Sequence, residues 1–281
     1  MFEAIDPKPF VKWAGGKRQI IDKIKEFAPK EFKTYYEPFV GGGAVLFALR
    51  PNKAVINDYN SELINVYKCL STNVFMLDDL IKQLKINEKN HDEENYYEIR
   101  NFDRKEGLMD KLSSTERAAR TIYLNKSCFN GLYRVNSNGQ FNVPFNKKKE
   151  VKIFDKKNLE DVYTYLSKFD INILNGDFED AVKTAKKGDF VYFDPPYDTL
   201  NDESFTSYTD KGFNKEDQKR LFECYKRLDK KGVYVMLSNH NTPFINELYK
   251  DYNIKVISAK RNINSNGSKR GSVEETIITN Y

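Results

Sequence analysis

The chain has 281 residues, 40% apolar and 31% charged, with 20 Phe, 18 Tyr and one Trp, a length that suits one large domain or two modest ones and a sizeable core. A mean hydropathy of −0.70 and the lack of any apolar run approaching about 18 residues exclude a membrane-spanning helix. Residues 1–10 carry Glu3, Asp6 and two prolines where a secretory signal needs a basic and then an apolar stretch, so a cytoplasmic protein is expected.

Cys69, Cys128 and Cys224 lie far apart with no CxxC pair, which argues against a disulfide framework and against a structural zinc site, so no metal is expected. Lys and Arg number 46 against 41 Asp and Glu, a net charge of +5. The stretch Arg134 to Lys157, with seven basic and two acidic residues, carries +5 by itself. Lys260 to Ser272 adds Lys260, Arg261, Lys269 and Arg270 with no acid. Clustered basic loops in a nearly balanced chain point to a polyanionic partner, and solvated surface lysines are the competing reading.

Taken in chain order, Thr34 to Phe39 predicts a short strand, followed by Gly41-Gly42-Gly43 and a helix over Ala44 to Leu49. Ala54 to Ile56 predicts a second strand ending at Asn57-Asp58. Three or four helices are predicted between Ser61 and Lys126, from apolar spacings of three and four. Periodicity disappears from Ser127 to Glu150, an Asn-rich polar segment. Alternation then returns: a strand at Asn172 to Leu174, a helix near Phe178 to Lys186, and a strand at Phe190 to Phe193. A helix over Lys215 to Leu228, a strand at Val233 to Leu237 and a helix near Pro243 to Tyr249 follow. Ile254 to Ile257 and Glu275 to Thr279 read as a hairpin around a Gly/Ser/Asn-rich loop. The pattern is an α/β sheet interrupted by a largely helical insertion.

Glycines after a strand let the backbone turn tightly and approach a ligand. The run Phe39-Val40-Gly41-Gly42-Gly43 has that placement, but Leu46 stands where a dinucleotide fingerprint needs its third glycine. Asp58 closes the second strand, a position from which a carboxylate accepts hydrogen bonds from ribose hydroxyls. Together they indicate an adenosine-type cofactor. Ala14-Gly15-Gly16-Lys17 is not a phosphate loop, because Val11 replaces the required first glycine.

Asp194-Pro195-Pro196-Tyr197 carries the chemistry. Two prolines directly after a buried strand make a rigid extended turn and leave carbonyls unpaired. A carboxylate, a carbonyl and an aromatic face then suit a planar amine, with Asp194 and the Pro195 carbonyl accepting its two hydrogens and Tyr197 stacking on its ring. An exocyclic amine's lone pair is delocalised into the base, and hydrogen bonds that draw the nitrogen toward tetrahedral geometry restore its nucleophilicity.

In the insertion, Asn138-Gly139 predicts a tight hairpin flanked by Tyr133-Arg134-Val135 and Phe141-Asn142-Val143. A two-stranded ribbon fits the major groove, where an Arg pairs bidentately with guanine. Lys147, Lys148 and Lys149 follow, as candidates for phosphate contacts. His91, in a polar helical stretch, is expected to be solvated. His240 is a candidate to line the cleft, and neither histidine shows a partner for acid–base or metal chemistry.

Lys12-Trp13-Ala14-Gly15-Gly16-Lys17, Glu37-Pro38-Phe39-Val40-Gly41-Gly42-Gly43, Asn57-Asp58 and Asp194-Pro195-Pro196-Tyr197 occur in the order seen in the DNA adenine methylase (Dam) family, which this chain resembles. Asn130-Gly131-Leu132-Tyr133-Arg134 and Phe141-Asn142-Val143-Pro144-Phe145 match that family's recognition region. The resemblance covers Pro9 to Asn60 and Glu116 to Tyr281, and it is closest to bacterial methylases that modify adenine in GATC. It implies a mixed seven-stranded, Rossmann-like methyltransferase sheet over residues 1–60 and 170–281, with a mainly helical, hairpin-carrying DNA-recognition domain at 61–169. It implies S-adenosylmethionine at Trp13, Lys17, Asp58, Asp177, Phe178 and Asp194, with the turn Phe39, Gly41 and Gly43 beneath. Lys12 and Arg134 resemble guanine-contacting residues, and Phe129 and Leu132 resemble residues that wedge into or pack on bases, with Asn130 and Pro144 in the same recognition motifs. Where relatives carry an aromatic after Phe-Asn-Val-Pro, this chain has Asn146-Lys147-Lys148-Lys149.

The expected activity is methyl transfer to N6 of a flipped-out adenine in double-stranded DNA. A monomer is expected, with no obligate protein partner, because one copy can modify the two strands in separate events. The alternatives are an adenine-N6 or cytosine-N4 methylase for another DNA site or for RNA, and a sequence-specific DNA-binding regulator without turnover. Protein glutamine methylation uses a related tetrapeptide with Asn first and lacks a comparable basic insertion.

Overall fold

The structure, a computed structural model, describes residues 5–13, 17, 20–199, 213–260 and 272–281. The described elements begin with α1 (Ile21–Phe27), β1 (Tyr35–Glu37), α2 (Ala44–Leu49), β2 (Lys53–Asp58), α3 (Ser61–Cys69), α4 (Val74–Lys89) and α5 (Glu93–Arg100). Next come α6 (Leu108–Lys111), α7 (Ser114–Ser127), α8 (Lys156–Lys168), β3 (Asp170–Asn175), α9 (Phe178–Ala181) and β4 (Phe190–Phe193). The last are α10 (Lys215–Lys230), β5 (Tyr234–His240), α11 (Pro243–Leu248), β6 (Asn253–Lys260) and β7 (Ser272–Thr279).

The strands form one mixed seven-stranded sheet in the order β3-β2-β1-β4-β5-β7-β6. β1 pairs in parallel with β2 and β4, and β4 with β5. β7 runs antiparallel to both β5 and β6, as the terminal hairpin requires. The chain leaves β1 toward β2 on one side and returns to β4 on the other, so the strand order reverses between β1 and β4. In an open α/β sheet the carboxyl ends at such a reversal are where ligands bind.

By internal contacts the chain divides into two compact units. The sheet unit comprises Lys17–Val40, Leu49–Tyr59 and Gly176–Tyr281. Its core packs Leu221, Cys224, Tyr225 and Leu228 of α10, at helical spacing, with Val191 and Phe193 of β4 and Val235 and Leu237 of β5. Burying each side chain of this size contributes roughly 1.5–3 kcal/mol. Asn214 starts α10 with a reciprocal capping box to Asp217. In β4 all of Phe190 to Phe193 are buried, which accounts for a continuous apolar run in place of an alternating one.

The helical unit comprises Met1–Gly16, Gly41–Ala48 and Asn60–Asn175. α7 is its centre, capped by Ser113 and Glu116 and buried on almost every side, including Ala118, Ala119, Ile122, Tyr123 and Leu124. Small alanines at adjacent positions let neighbouring helices approach closely. α8 was not among the predicted elements. Its apolar face (Leu159, Val162, Tyr165, Leu166) lies behind a lysine-rich start, and the cap is Asp155. Lys156 and Lys157 pair one turn on with Glu160 and Asp161, so part of the basic stretch is an ordinary helix surface. α1 was likewise unpredicted, and α9 is shorter than the expected Phe178 to Lys186.

Candidate active site and recognition surface

At the carboxyl end of β4, Asp194 Oδ1 lies 2.8 Å from Lys17 Nζ, whose side chain is 5% exposed. The same oxygen accepts a hydrogen bond from Ser238 Oγ at 3.0 Å, and Ser238 is in turn 2.8 Å from the Tyr192 hydroxyl. Burial pushes the Asp194 carboxyl above its ordinary value; the Lys17 ammonium and the Ser238 hydroxyl pull it back, and Glu275 adds to the upward push. Lys17 Nζ also stands 4.4 Å from the centre of the Tyr197 ring.

The Asp-Pro-Pro-Tyr turn is held from several directions. The Tyr197 hydroxyl donates to Glu275 Oε2 at 3.1 Å, and its ring meets that of His240 edge-on at 4.8 Å. His240 Nδ1 donates to the Asp198 carbonyl at 2.6 Å, so the histidine's role here is to brace the turn. Gln218 Nε2 donates to the Pro196 carbonyl at 2.9 Å, so the second proline's carbonyl is not open as the sequence implied. Among the described residues the Pro195 carbonyl has no such partner. Asn239 Oδ1 accepts from the Asp198 amide at 2.9 Å, and Thr242 Oγ1 donates to the Asp198 carboxylate at 2.6 Å. Ser238, Asn239, Gln218, Thr242 and Glu275 were not singled out from sequence. Only Ser238 and Asn239 carry a signal, polarity near the carboxyl end of an otherwise apolar strand; Gln218 lies on α10, Thr242 caps α11 and Glu275 lies within β7.

Around this centre Asp58 ends β2, half-buried, and its carbonyl accepts from the Gly176 amide at 3.3 Å. Asn57 Nδ2 donates to the carbonyls of Pro38 and Gly176, at 2.9 and 3.0 Å, tying together the segments that follow β1 and β3. Asp177 is the N-cap of α9 and pairs with Arg220 at 2.7 Å. Phe178 is 3% exposed and stacks on Phe39 at 5.4 Å, while the Arg220 guanidinium covers its ring at 4.6 Å. Phe178 is therefore packed into the core here.

Within the helical unit, Trp13 stacks on Tyr133 at 5.3 Å. The glycine turn requires its glycines: a Cβ on Gly41 would lie 2.8 Å from the Trp13 ring, and one on Gly43 2.6 Å from the Tyr67 hydroxyl. Tyr67 donates to the Gly41 carbonyl at 2.9 Å. Buried Asn125 accepts from the Lys12 amide at 2.8 Å and donates to the carbonyls of Lys12 and Gly131, at 2.7 and 3.0 Å. That one side chain brings Lys12 beside the turn of Phe129, Asn130 and Leu132. Asn130 adopts a left-handed backbone, φ 55°, and Phe129 is 49% exposed, so an apolar ring stands at the surface.

The expected hairpin forms without regular strands. One isolated bridge joins Val135 to Phe141, and another joins Cys128 to Phe145. The turn is longer than the two-residue type that Asn-Gly predicts: Asn136 N–H donates to the Gln140 carbonyl at 2.9 Å, leaving Ser137 to Gly139 as the loop, with Gly139 at φ 74°. A three-residue loop with glycine in the left-handed position is the next common hairpin connection. Arg134 Nε donates to Asn142 Oδ1 at 2.7 Å and Nη2 to the Asn142 carbonyl at 3.3 Å. Pro144, Lys147, Lys148 and Lys149 are exposed. His91, expected to be solvated, is half-buried and bonded on both ring nitrogens. Between α4 and α5, its Nε2 donates to the Lys148 carbonyl at 3.2 Å, and its Nδ1 meets the Tyr123 hydroxyl at 3.3 Å. It thereby ties the lysine loop to α7.

A mixed sheet whose reversal point carries Asp-Pro-Pro-Tyr defines an α/β methyltransferase. Residues 13–263 match the family model described as D12 class N6 adenine-specific DNA methyltransferase. The chain is 51% identical over 278 residues to the type II methyltransferase M1.LlaDCHI of Lactococcus lactis subsp. cremoris, covering 99% of this chain and 96% of that one. It is 45% identical over 294 residues to the type II methyltransferase M.MjaIII of Methanocaldococcus jannaschii, covering 99% and 100%. With the DNA adenine methylase of Escherichia coli strain K12 it shares 32% over 278 residues, covering 96% and 94%. The chain belongs to the D12 class of N6 adenine-specific DNA methyltransferases.

The Lys17 ion pair sets a pH dependence. Because Lys17 lowers an Asp194 carboxyl that burial has raised, Lys17→Gln leaves only the Ser238 hydroxyl to oppose the upward push. The carboxylate then protonates at higher pH, and the acid limb of the rate profile is expected to move to higher pH than in the wild type. Single-turnover rates measured across the acid range at saturating cofactor check this, and an unmoved acid limb excludes Asp194 as the titrating group.

Proposed function

We propose that the enzyme transfers a methyl group from S-adenosylmethionine to N6 of an adenine flipped out of duplex DNA, within GATC. The observation that carries the chemistry is the pair of acceptors after β4: an Asp194 carboxylate held by Lys17 and Ser238, and the Pro195 carbonyl beside it. The residues at the strand ends fit an adenosine-type cofactor. Asp58 is proposed to hold the ribose, with Lys17, Phe39, Asp177, Phe178 and Asp194 as further cofactor residues; Trp13, Gly41 and Gly43 are proposed for the cofactor from the resemblance of their motifs. When bound, S-adenosylmethionine supplies an electrophilic methyl group on a sulfonium centre.

The chain's own residues act on the acceptor. Asp194 and the Pro195 carbonyl each accept one amino hydrogen of adenine, which draws the nitrogen toward tetrahedral geometry and localises its lone pair. Tyr197, oriented by Glu275 and His240, supplies the aromatic face for the base. After transfer the amine must release a proton, and Asp194, whose burial favours the protonated form, is placed to take it. Unstacking a base costs a few kcal/mol, which the exposed Phe129 and the half-buried Leu132 are proposed to offset by packing in the duplex. Lys12 and Arg134 are proposed to read guanine, with Asn130 and Pro144 shaping that surface and Lys147 and Lys148 contacting phosphate. GATC rests on the resemblance of the recognition segments, and relatives named type II methyltransferases support a place in a restriction-modification system. The reading implies a cytoplasmic enzyme acting as a monomer.

Expression in a host lacking adenine methylation, followed by genome-wide mapping of N6-methyladenine, tests this directly. The expected outcome is methylation confined to GATC for the wild type and its loss in Asp194→Ala with the fold retained. Methylation at another motif overturns the site and leaves the chemistry; methylated cytosine, or none, overturns the chemistry itself.

Salt dependence tests the lysine loop. Each phosphate contact contributes about 0.9 to the slope of log affinity against log salt. Replacing Lys147, Lys148 and Lys149 with Gln is expected to flatten that slope and to weaken all sequences alike, and an unchanged slope returns these lysines to solvated surface.

A further inference from the structure

The hairpin that carries Arg134 has one bridge and no regular strand, so its backbone is not located by a sheet. Side chains from a different segment locate it. Asp103, in the 3-10 turn Asn101–Arg104 after α5, accepts from the Phe141 amide through Oδ2 at 2.8 Å. Its neighbour Arg104 donates from Nη2 to the Phe141 carbonyl at 2.8 Å. Both polar groups of one hairpin residue are thus claimed by two consecutive side chains.

This clamp is itself rigidly held. Arg120 of α7, 6% exposed, lies 2.8 Å from Asp103 Oδ2, and its Nε and Nη2 donate to the last carbonyls of α5, Ile99 at 2.9 Å and Arg100 at 2.8 Å. On the other side, the residue after Phe141 is Asn142, whose side chain and carbonyl receive Arg134. Charge-assisted hydrogen bonds from the central helix to Phe141, the peptide bond to Asn142 and the Arg134–Asn142 bonds therefore connect α7 to the guanidinium.

We propose that Asp103 is a positioning residue for sequence discrimination: by fixing Phe141 it sets where Asn142 holds Arg134. This rests on the reading of Arg134 as a guanine contact. A guanidinium–guanine pair is selective because two hydrogen bonds must align at once, so a hairpin free to shift loses selectivity before it loses affinity. Asp103→Asn keeps an acceptor for Phe141 but removes the charge that Arg120 and Arg104 require.

The test compares kcat/KM on a duplex carrying the site mapped for the wild type with duplexes changed at one base pair each. Arg134→Ala identifies the base pair it reads by a loss of discrimination of roughly 5- to 150-fold. Asp103→Asn is expected to lose discrimination at that same base pair by about tenfold, with cofactor affinity and salt slope unchanged, and to add nothing in the Arg134→Ala background. Should Asp103→Asn not fold, Arg104→Gln, which releases the Phe141 carbonyl and spares the Asp103–Arg120 pair, carries the same expectation. If Arg134→Ala keeps full discrimination, the guanine reading fails and this inference with it. If Arg134→Ala loses discrimination while the folded Asp103 or Arg104 variant keeps it, or slows all duplexes equally, the positioning role alone is overturned.

Discussion

Asp194 is held beside Lys17 in a place where burial works against its charge, and much of the sheet unit's polar structure converges on that pair. Removing two ions from water costs several kcal/mol each, and the mutual attraction repays this only with close geometry and further hydrogen bonds. The Lys17 ammonium at 2.8 Å supplies the first and Ser238, backed by Tyr192, the second. The position is set by the sheet: β4 lies between β1 and β5, all parallel, so its carboxyl end opens where the strand order reverses. Two prolines then prevent the chain from continuing the ladder, and the turn is pinned through Gln218, Asn239 and Thr242 instead of by strand pairing.

Glu275 adds a second carboxylate to the same neighbourhood. It reaches Tyr197 because β7 runs antiparallel to β5, with His240 and Glu275 as register partners. The pairing that closes the sheet thus also delivers both groups that orient the tyrosine. A tyrosine whose ring and hydroxyl are both engaged has little rotational freedom left to lose on ligand binding.

In the helical unit the organising problem is different. The segment from Phe129 to Lys149 has almost no ladder hydrogen bonds to shape it. Buried aromatic and polar side chains do so: Phe145 packs against Tyr96 at 5.2 Å and His91 at 5.5 Å, and Tyr96 donates to the Val143 carbonyl at 2.8 Å. The surface groups, Phe129 and the three lysines, project from a backbone fastened from beneath. Such a surface keeps a defined shape while exposing a ring and several charges to a partner.

Local order was legible in the sequence wherever neighbours within a few residues decide the outcome. The apolar run Phe190 to Phe193 followed by Asp194-Pro195-Pro196-Tyr197, the glycine turn before α2, the strand ending at Asp58 and the closing hairpin all lie where spacing and turn chemistry placed them. Local signals conflict or hide elsewhere: α8 lies behind its lysines, the Asn-Gly turn is one residue longer than its dipeptide favours, and His91 bonds Lys148 and Tyr123 from a polar stretch. Residue spacing alone specifies the kind and order of the strands, most of the helices and the acceptor-rich turn at the end of β4. It takes the folded chain to bring Lys17 to Asp194, Glu275 to Tyr197, Asn125 between Lys12 and Gly131, and Asp103 to Phe141. Periodicity and turn propensity act over one or two turns of chain, whereas these partners are brought together by strand register and helix packing, which no short stretch of residues specifies.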